Sequence, residues 1–169
     1  MKKSLKLALL LPVLLLVVGC SGGNSEADDA KAMKGTQSAS SITIYNNDYD
    51  FGDIPINGGK VSVEFPFKNS GQDSIVISEG ITTCMCTEAV VESNDGIVSP
   101  TLKMPAHGNA IAQVNQVLES GESAKLTATF DPMAHGPGGV GPITREVILK
   151  TNSTVLPEVK FKFKGNVVQ

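Results

Sequence analysis

Lys60-Val61-Ser62-Val63-Glu64-Phe65-Pro66-Phe67-Lys68 alternates apolar and polar side chains without a break, and this period of two decides the fold. In an extended chain Val61, Val63, Phe65 and Phe67 share one face, so the stretch is a strand with one buried and one wet side. Ser123 to Phe130 repeats the pattern with Ala124, Leu126, Ala128 and Phe130 inward. Glu158 to Lys164 repeats it again, with Val159, Phe161 and Phe163 inward and three lysines outward. Weaker strands are expected at 42–46, 74–78, 87–91 and 145–150. Turn residues separate the runs at Asn57-Gly58-Gly59, Asn69-Ser70-Gly71, Ser120-Gly121 and the Gly/Pro-rich stretch 131–142. About seven short strands without an amphipathic helix predict an all-β, antiparallel sandwich. Pro66 has no amide proton, so its strand is expected at a sheet edge or at a bulge.

The ends set the address. Lys2, Lys3 and Lys6 precede an apolar run, Leu7–Val18, that is shorter than the ~20 residues of a spanning helix, so residues 1–19 read as an export signal. Val17-Val18-Gly19-Cys20 resembles the lipobox of bacterial lipoproteins, which implies lipidation of Cys20 and stable attachment to the membrane. No acidic residue follows Cys20 directly, which points to the outer membrane where the host has two. Residues 20–41, rich in Ser, Gly, Ala and charge, then read as the lipidated cysteine and a disordered tether. The domain proper is 42–169, the length of a single unit. Three of the 14 Lys and Arg residues lie in the signal and none of the 17 Asp and Glu residues does, leaving 11 basic against 17 acidic groups, a net −6. An acidic exported domain excludes the electrostatic footprint of nucleic-acid binding. Residues 92–118, with Pro100, Pro105, Asn94-Asp95-Gly96 and Gly108, fit the strand rhythm poorly and read as an insertion holding a short helix or an extra hairpin.

Several segments in order carry a family likeness. They are Tyr49-Asp50-Phe51-Gly52-Asp53-Ile54, Phe65-Pro66-Phe67-Lys68-Asn69-Ser70-Gly71, Thr83-Cys84-Met85-Cys86-Thr87, Phe130-Asp131-Pro132 and Phe161-Lys162-Phe163-Lys164-Gly165. The chain resembles the bacterial exported domain-of-unknown-function family related to Hydin-type (ASH) Ig-like domains. That resemblance implies an immunoglobulin-like (Ig-like) antiparallel β-sandwich of about seven strands and brings no assigned activity. Met85 stands where the family usually has glycine between the two cysteines, so the backbone there needs no left-handed conformation.

Cys84 and Cys86 are the only cysteines besides Cys20. On an extended strand they share a face about 6.6 Å apart at Cα. That is close to the ~6.8 Å limit for a disulfide, which would therefore need a local bend. Two thiolates on one metal ion sit roughly 3.8 Å apart, within reach of side chains on one face. Soft sulfur donors favour Cu(I) or Zn(II). The chain has two histidines, His107 in the insertion and His135 in the 131–142 loop, with Met104 and Met133 close to them in sequence. The candidate ligands are thus Cys84, Cys86, His135, His107, Met104 and Met133, for copper or zinc. Buried thiols packing as small apolar groups, and a redox-active pair, are also consistent with the spacing. Asp48, Asp50 and Asp53 lack calcium-loop spacing and read as a solvated face.

No catalytic residues are assigned. Thioredoxin-type Cys-x-x-Cys, haem-attachment, phosphate-loop and Gly-x-Ser-x-Gly patterns are all missing from the sequence. The expectation is a membrane-anchored, extracytoplasmic, non-enzymatic module for binding or envelope assembly, with an envelope protein as partner. The alternatives are a copper- or zinc-handling lipoprotein and a thiol-redox protein. Oligomeric state leaves no signal in the pattern.

Overall fold

The computed structural model describes residues 35–105 and 110–169. The expected export signal, Cys20, most of the segment read as a tether and His107 lie outside the described residues. Nine strands follow in order: β1 (Ile42–Ile44), β2 (Asp48–Pro55), β3 (Val61–Asn69), β4 (Ile75–Thr82), β5 (Thr87–Ser93), β6 (Ala112–Leu118), β7 (Ser123–Phe130), β8 (Gly141–Thr151) and β9 (Glu158–Val168). They form two sheets, of order β1-β3-β7-β5 and β2-β9-β8-β4-β6. No helix among the described residues is long and apolar enough to cross a membrane.

The alternating runs behave as their period requires. Phe65 and Phe67 of β3 point into the core, where they meet Phe161 of β9 at ring-centroid distances of 5.3 and 5.6 Å. Phe130 of β7 and Phe163 of β9 pack at 6.0 Å nearer the far end. The sandwich is therefore zipped by aromatic residues from the three strands with the cleanest alternation. Asn69, fully buried at the end of β3, donates to the carbonyls of Asp73 and Leu118 and accepts from Gly71 N–H. Its amide satisfies backbone groups where three segments meet, which is the condition for burying a polar side chain at low cost.

Four features depart from the sequence reading. First, β2 pairs with β9 in parallel, so the second sheet is mixed rather than purely antiparallel. Its acidic face is paired rather than merely solvated: Asp48 lies 2.6 Å from Lys162, Asp50 lies 3.5 Å from Lys164, and Asp53 accepts from Asn166. Second, the 92–118 segment holds a full strand and no helix among its described residues. Residues 98–102 run back along β5 through bridges at Val98 and Leu102, and β6 then caps the edge of the second sheet beside β4. Asn115 adopts a positive φ of 49° where that pairing shifts register, a bulge conformation that asparagine tolerates.

Third, β3 is internal in its sheet. Pro66 is tolerated because β1 ends at Ile44 and asks only for a carbonyl, which accepts from Tyr45 N–H. Fourth, residues 38–40, read as the end of a tether, are docked on the sandwich. Ser38 and Ser40 are buried; Ser38 bridges to Ser153, and the Ser40 hydroxyl accepts from Asp73 N–H. Composition gave no hint of this docking because it is made by backbone groups and small hydroxyls rather than by apolar burial.

Candidate functional site

Two connections cross between the sheets at the same end of the sandwich. One is the short turn from β4 to β5, carrying Cys84 and Cys86. The other is the loop from β7 to β8, carrying Met133 and His135. They are fastened together by Asp131 N–H donating to the Cys86 carbonyl at 2.9 Å, next to the Thr87–Phe130 pair that opens the β5–β7 ladder.

The turn is not an extended strand, and that overturns the geometry expected for the pair. Thr87 N–H donates to the Cys84 carbonyl at 3.1 Å, closing a tight turn. The buried Thr82 hydroxyl braces it from beneath, within hydrogen-bonding range of the Cys84 and Thr87 carbonyls at 3.1 and 3.0 Å. The bend brings the two Cα atoms to 5.2 Å, inside the disulfide range, and Cys84 and Cys86 are bonded to each other. Among the described residues Met85 has no left-handed φ, as the glycine-to-methionine replacement implied, and its side chain is solvent-exposed.

The two sulfurs have unequal surroundings. Cys86 is buried in the apolar core, whereas Cys84 is half-exposed. Cys84 Sγ lies 3.5 Å from His135 Nε2. Arg145 Nε donates to Cys86 Sγ at 3.1 Å. Burial lowers the pKa of that guanidinium from its ordinary value, and the group still places a cation against the inner sulfur. Cys84 Sγ, Cys86 Sγ and a ring nitrogen of His135 all lie within 4.8 Å of one another.

The loop presents His135 through consecutive turns. Met133 N–H donates to the Asp131 carboxylate, Gly136 N–H to the Met133 carbonyl, and Gly139 N–H to the Gly136 carbonyl. The glycine- and proline-rich composition thus shapes a folded loop instead of a phosphate cradle. Met133 is exposed in this loop. Met104 follows Lys103, whose carbonyl accepts from Thr82 N–H, so its backbone also reaches this end of the sandwich.

Sequence reasoning missed Arg145, which reaches the site from β8. One signal was available: it is the single arginine in the chain. Thr82 and Thr87 were missed as well, because their roles depend on a turn that spacing alone does not reveal.

The arrangement resembles known proteins in its fold. Residues 42–100 match the model of the family described as protein of unknown function (DUF1573), a span that contains both cysteines and ends before His135 and Arg145. A protein of unknown function from Porphyromonas gingivalis W83 superposes with a TM-score of 0.56 at 15% identity, over 78% of this chain and 50% of that one. This chain thus spans half the length of that protein. The ASH/PapD-like domain 7 of human CEP192 aligns with a TM-score of 0.45 at 17% identity, over 79% of this chain and 90% of that one. No curated protein matches the sequence. The likeness to the family described as protein of unknown function (DUF1573) thus covers the part of the sandwich from β1 to just past β5, including the two-cysteine turn.

Proposed function

We propose that the protein is a lipid-anchored, extracytoplasmic binding or envelope-assembly module whose working surface is the cysteine-bearing end of the sandwich. Cys20 holds it to the membrane, with the outer membrane as the destination in a two-membrane host. The observation that carries this reading is the concentration of side-chain chemistry at one end. Cys84, Cys86, His135 and Arg145 meet there, and the apolar side chains of Met85 and Met133 stand in solvent beside them. Exposed methionines adapt their shape to a partner. A disulfide at this end also suits an oxidising compartment outside the cytoplasm.

Site-specific photocrosslinking in cells tests the module. A crosslinker at Met85 is expected to capture an envelope protein, while one at Ser120, in the turn at the opposite end, captures none. Equal or absent capture at both positions overturns the reading. Cys20→Ala is expected to abolish incorporation of labelled fatty acid and to release the protein from membranes.

A thiol-redox role is the second reading, favoured by the bonded pair with one half-exposed sulfur. It requires that the exported protein be found in both oxidation states. Thiol trapping that finds the pair locked in one state under all growth conditions removes it.

A further inference from the structure

We propose that Cys84, Cys86 and His135 form a three-ligand site for Cu(I), opened when the Cys84–Cys86 disulfide is reduced. This deepens the reading of that end of the sandwich as the working surface, and rests on it.

The donor set is assembled by the fold. The β4–β5 turn holds the two cysteine Cα atoms 5.2 Å apart, and the β7–β8 loop brings His135 Nε2 within 3.5 Å of the outer sulfur. All three donor atoms fall within 4.8 Å of one another. Once the S–S bond is cleaved the sulfurs separate to non-bonded contact, near the roughly 3.8 Å they would span across an ion with bonds of about 2.3 Å. A nitrogen 3.5 Å from one sulfur then closes a trigonal set.

Charge and ligand number select the metal. Two thiolates and a neutral imidazole around Cu(I) carry a net charge of −1, and Arg145, 3.1 Å from Cys86 Sγ, supplies the offsetting cation. With Zn(II) the same ligands are already neutral, so the half-buried guanidinium would add an unmatched positive charge. Zinc would take a fourth ligand, such as a water, beyond the three gathered here. Soft thiolates favour monovalent copper in any case. Cys86 is buried and Cys84 half-exposed, so one ligand is dry while the other, with His135, lies open to an incoming ion.

The chemistry balances. A dithiol reductant transfers two electrons and two protons to the Cys84–Cys86 bond, yielding two thiols and its own disulfide. Cu(I) then displaces both thiol protons to solvent as it forms two Cu–S bonds and one Cu–N bond. Reoxidation of the pair by a disulfide oxidant closes the site and expels the ion.

The test uses the full-length chain carrying Cys20→Ala, purified in detergent, so that Cys84 and Cys86 are its only cysteines. The disulfide and dithiol forms are each titrated anaerobically with Cu(I) against a chromogenic Cu(I) chelator, and with Zn(II) alone. The dithiol is expected to take one Cu(I) with an X-ray absorption signature of two sulfurs and one nitrogen, and the disulfide form none. Cys84→Ser with Cys86→Ser is expected to abolish binding. His135→Ala should weaken it by about 10- to 100-fold, the scale seen when even a supporting partner of a metal ligand is lost. The oxidised and reduced wild-type pair, compared directly, gives an answer even where a variant misfolds. No Cu(I) on the verified dithiol, equal binding by the disulfide form, or tighter binding of Zn(II) than of Cu(I) overturns the proposal. Failure here with Met85 crosslinking intact removes the metal and leaves the binding module. Failure of the crosslinking removes the module whatever the metal result.

Discussion

His135 and Cys84, 51 residues apart in sequence, meet at 3.5 Å between Nε2 and Sγ because two loops cross between sheets at the same end of the sandwich. The contact depends on tertiary structure: the β4–β5 turn and the β7–β8 loop are brought together by backbone pairing around Thr87, Phe130 and Asp131. It makes the cysteine pair part of a chemical cluster rather than an isolated crosslink.

As a staple the pair is weak. Its loop spans two positions of sequence separation, and the chain-entropy estimate for so short a loop is about 1.5 kcal/mol. Reduction is therefore expected to lower unfolding stability by no more than about that amount. Urea unfolding with and without reductant measures it, and a loss above about 3 kcal/mol would make the pair a structural necessity.

The core depends far more on one phenylalanine. Phe161 is fully buried between Phe65 and Phe67 of the facing sheet. Phe161→Ala removes the ring that ties the two sheets together and is expected to cost about 3–5 kcal/mol. The readout is a lower urea midpoint with an unchanged m value. A cost under about 1 kcal/mol would show that the sheets close over the gap.

Gly80 owes its place to contact rather than to a turn. A Cβ there would lie 2.6 Å from Leu102 Cδ1 and 3.0 Å from Leu149 Cδ2, where the 98–102 return packs over β4. Gly80→Ala is expected to cost about 1–3 kcal/mol through overpacking. In the double variant with Leu102→Ala the loss should fall short of the sum of the two singles, because the clash goes with the leucine. Additivity within about 0.5 kcal/mol would place the strain elsewhere.

The same return carries an acid-sensitive link. The hydrogen bond and charge of Lys103, at 2.8 Å, hold the Glu88 carboxyl below its ordinary value of 4.5. A depressed carboxylate pKa contributes stability that is present above the unfolded value and lost as pH falls through the folded one. The pair is exposed, so the contribution is small. NMR titration of the Glu88 carboxyl is expected to give a midpoint below 4.5 that returns toward it in Lys103→Ala. An unchanged midpoint in that variant would assign the depression to another group.

Much of the fold was legible because burial on one side of a strand imposes a period of two. Each of the seven expected runs overlaps a strand, and β3, β7 and β9 supply the aromatic zip. The two strands left unread have physical reasons. β2 is mostly exposed and pairs in parallel with a segment more than a hundred residues away, so no hairpin turn announces it. β6 places Gln116 at a buried position, where it donates to the Ile97 carbonyl, and that amide interrupts the apolar alternation.

The sequence by itself determined the sandwich, the candidate donors Cys84, Cys86 and His135, and the expectation of export, because periodicity, residue chemistry and a leader pattern are local properties. Only the tertiary structure decided that the pair sits in a bend rather than on a strand, and that His135 and Arg145 flank opposite sulfurs. Those relations depend on how two inter-sheet crossovers and β8 come together, and contacts made across sheets leave no mark in the spacing of residues along the chain.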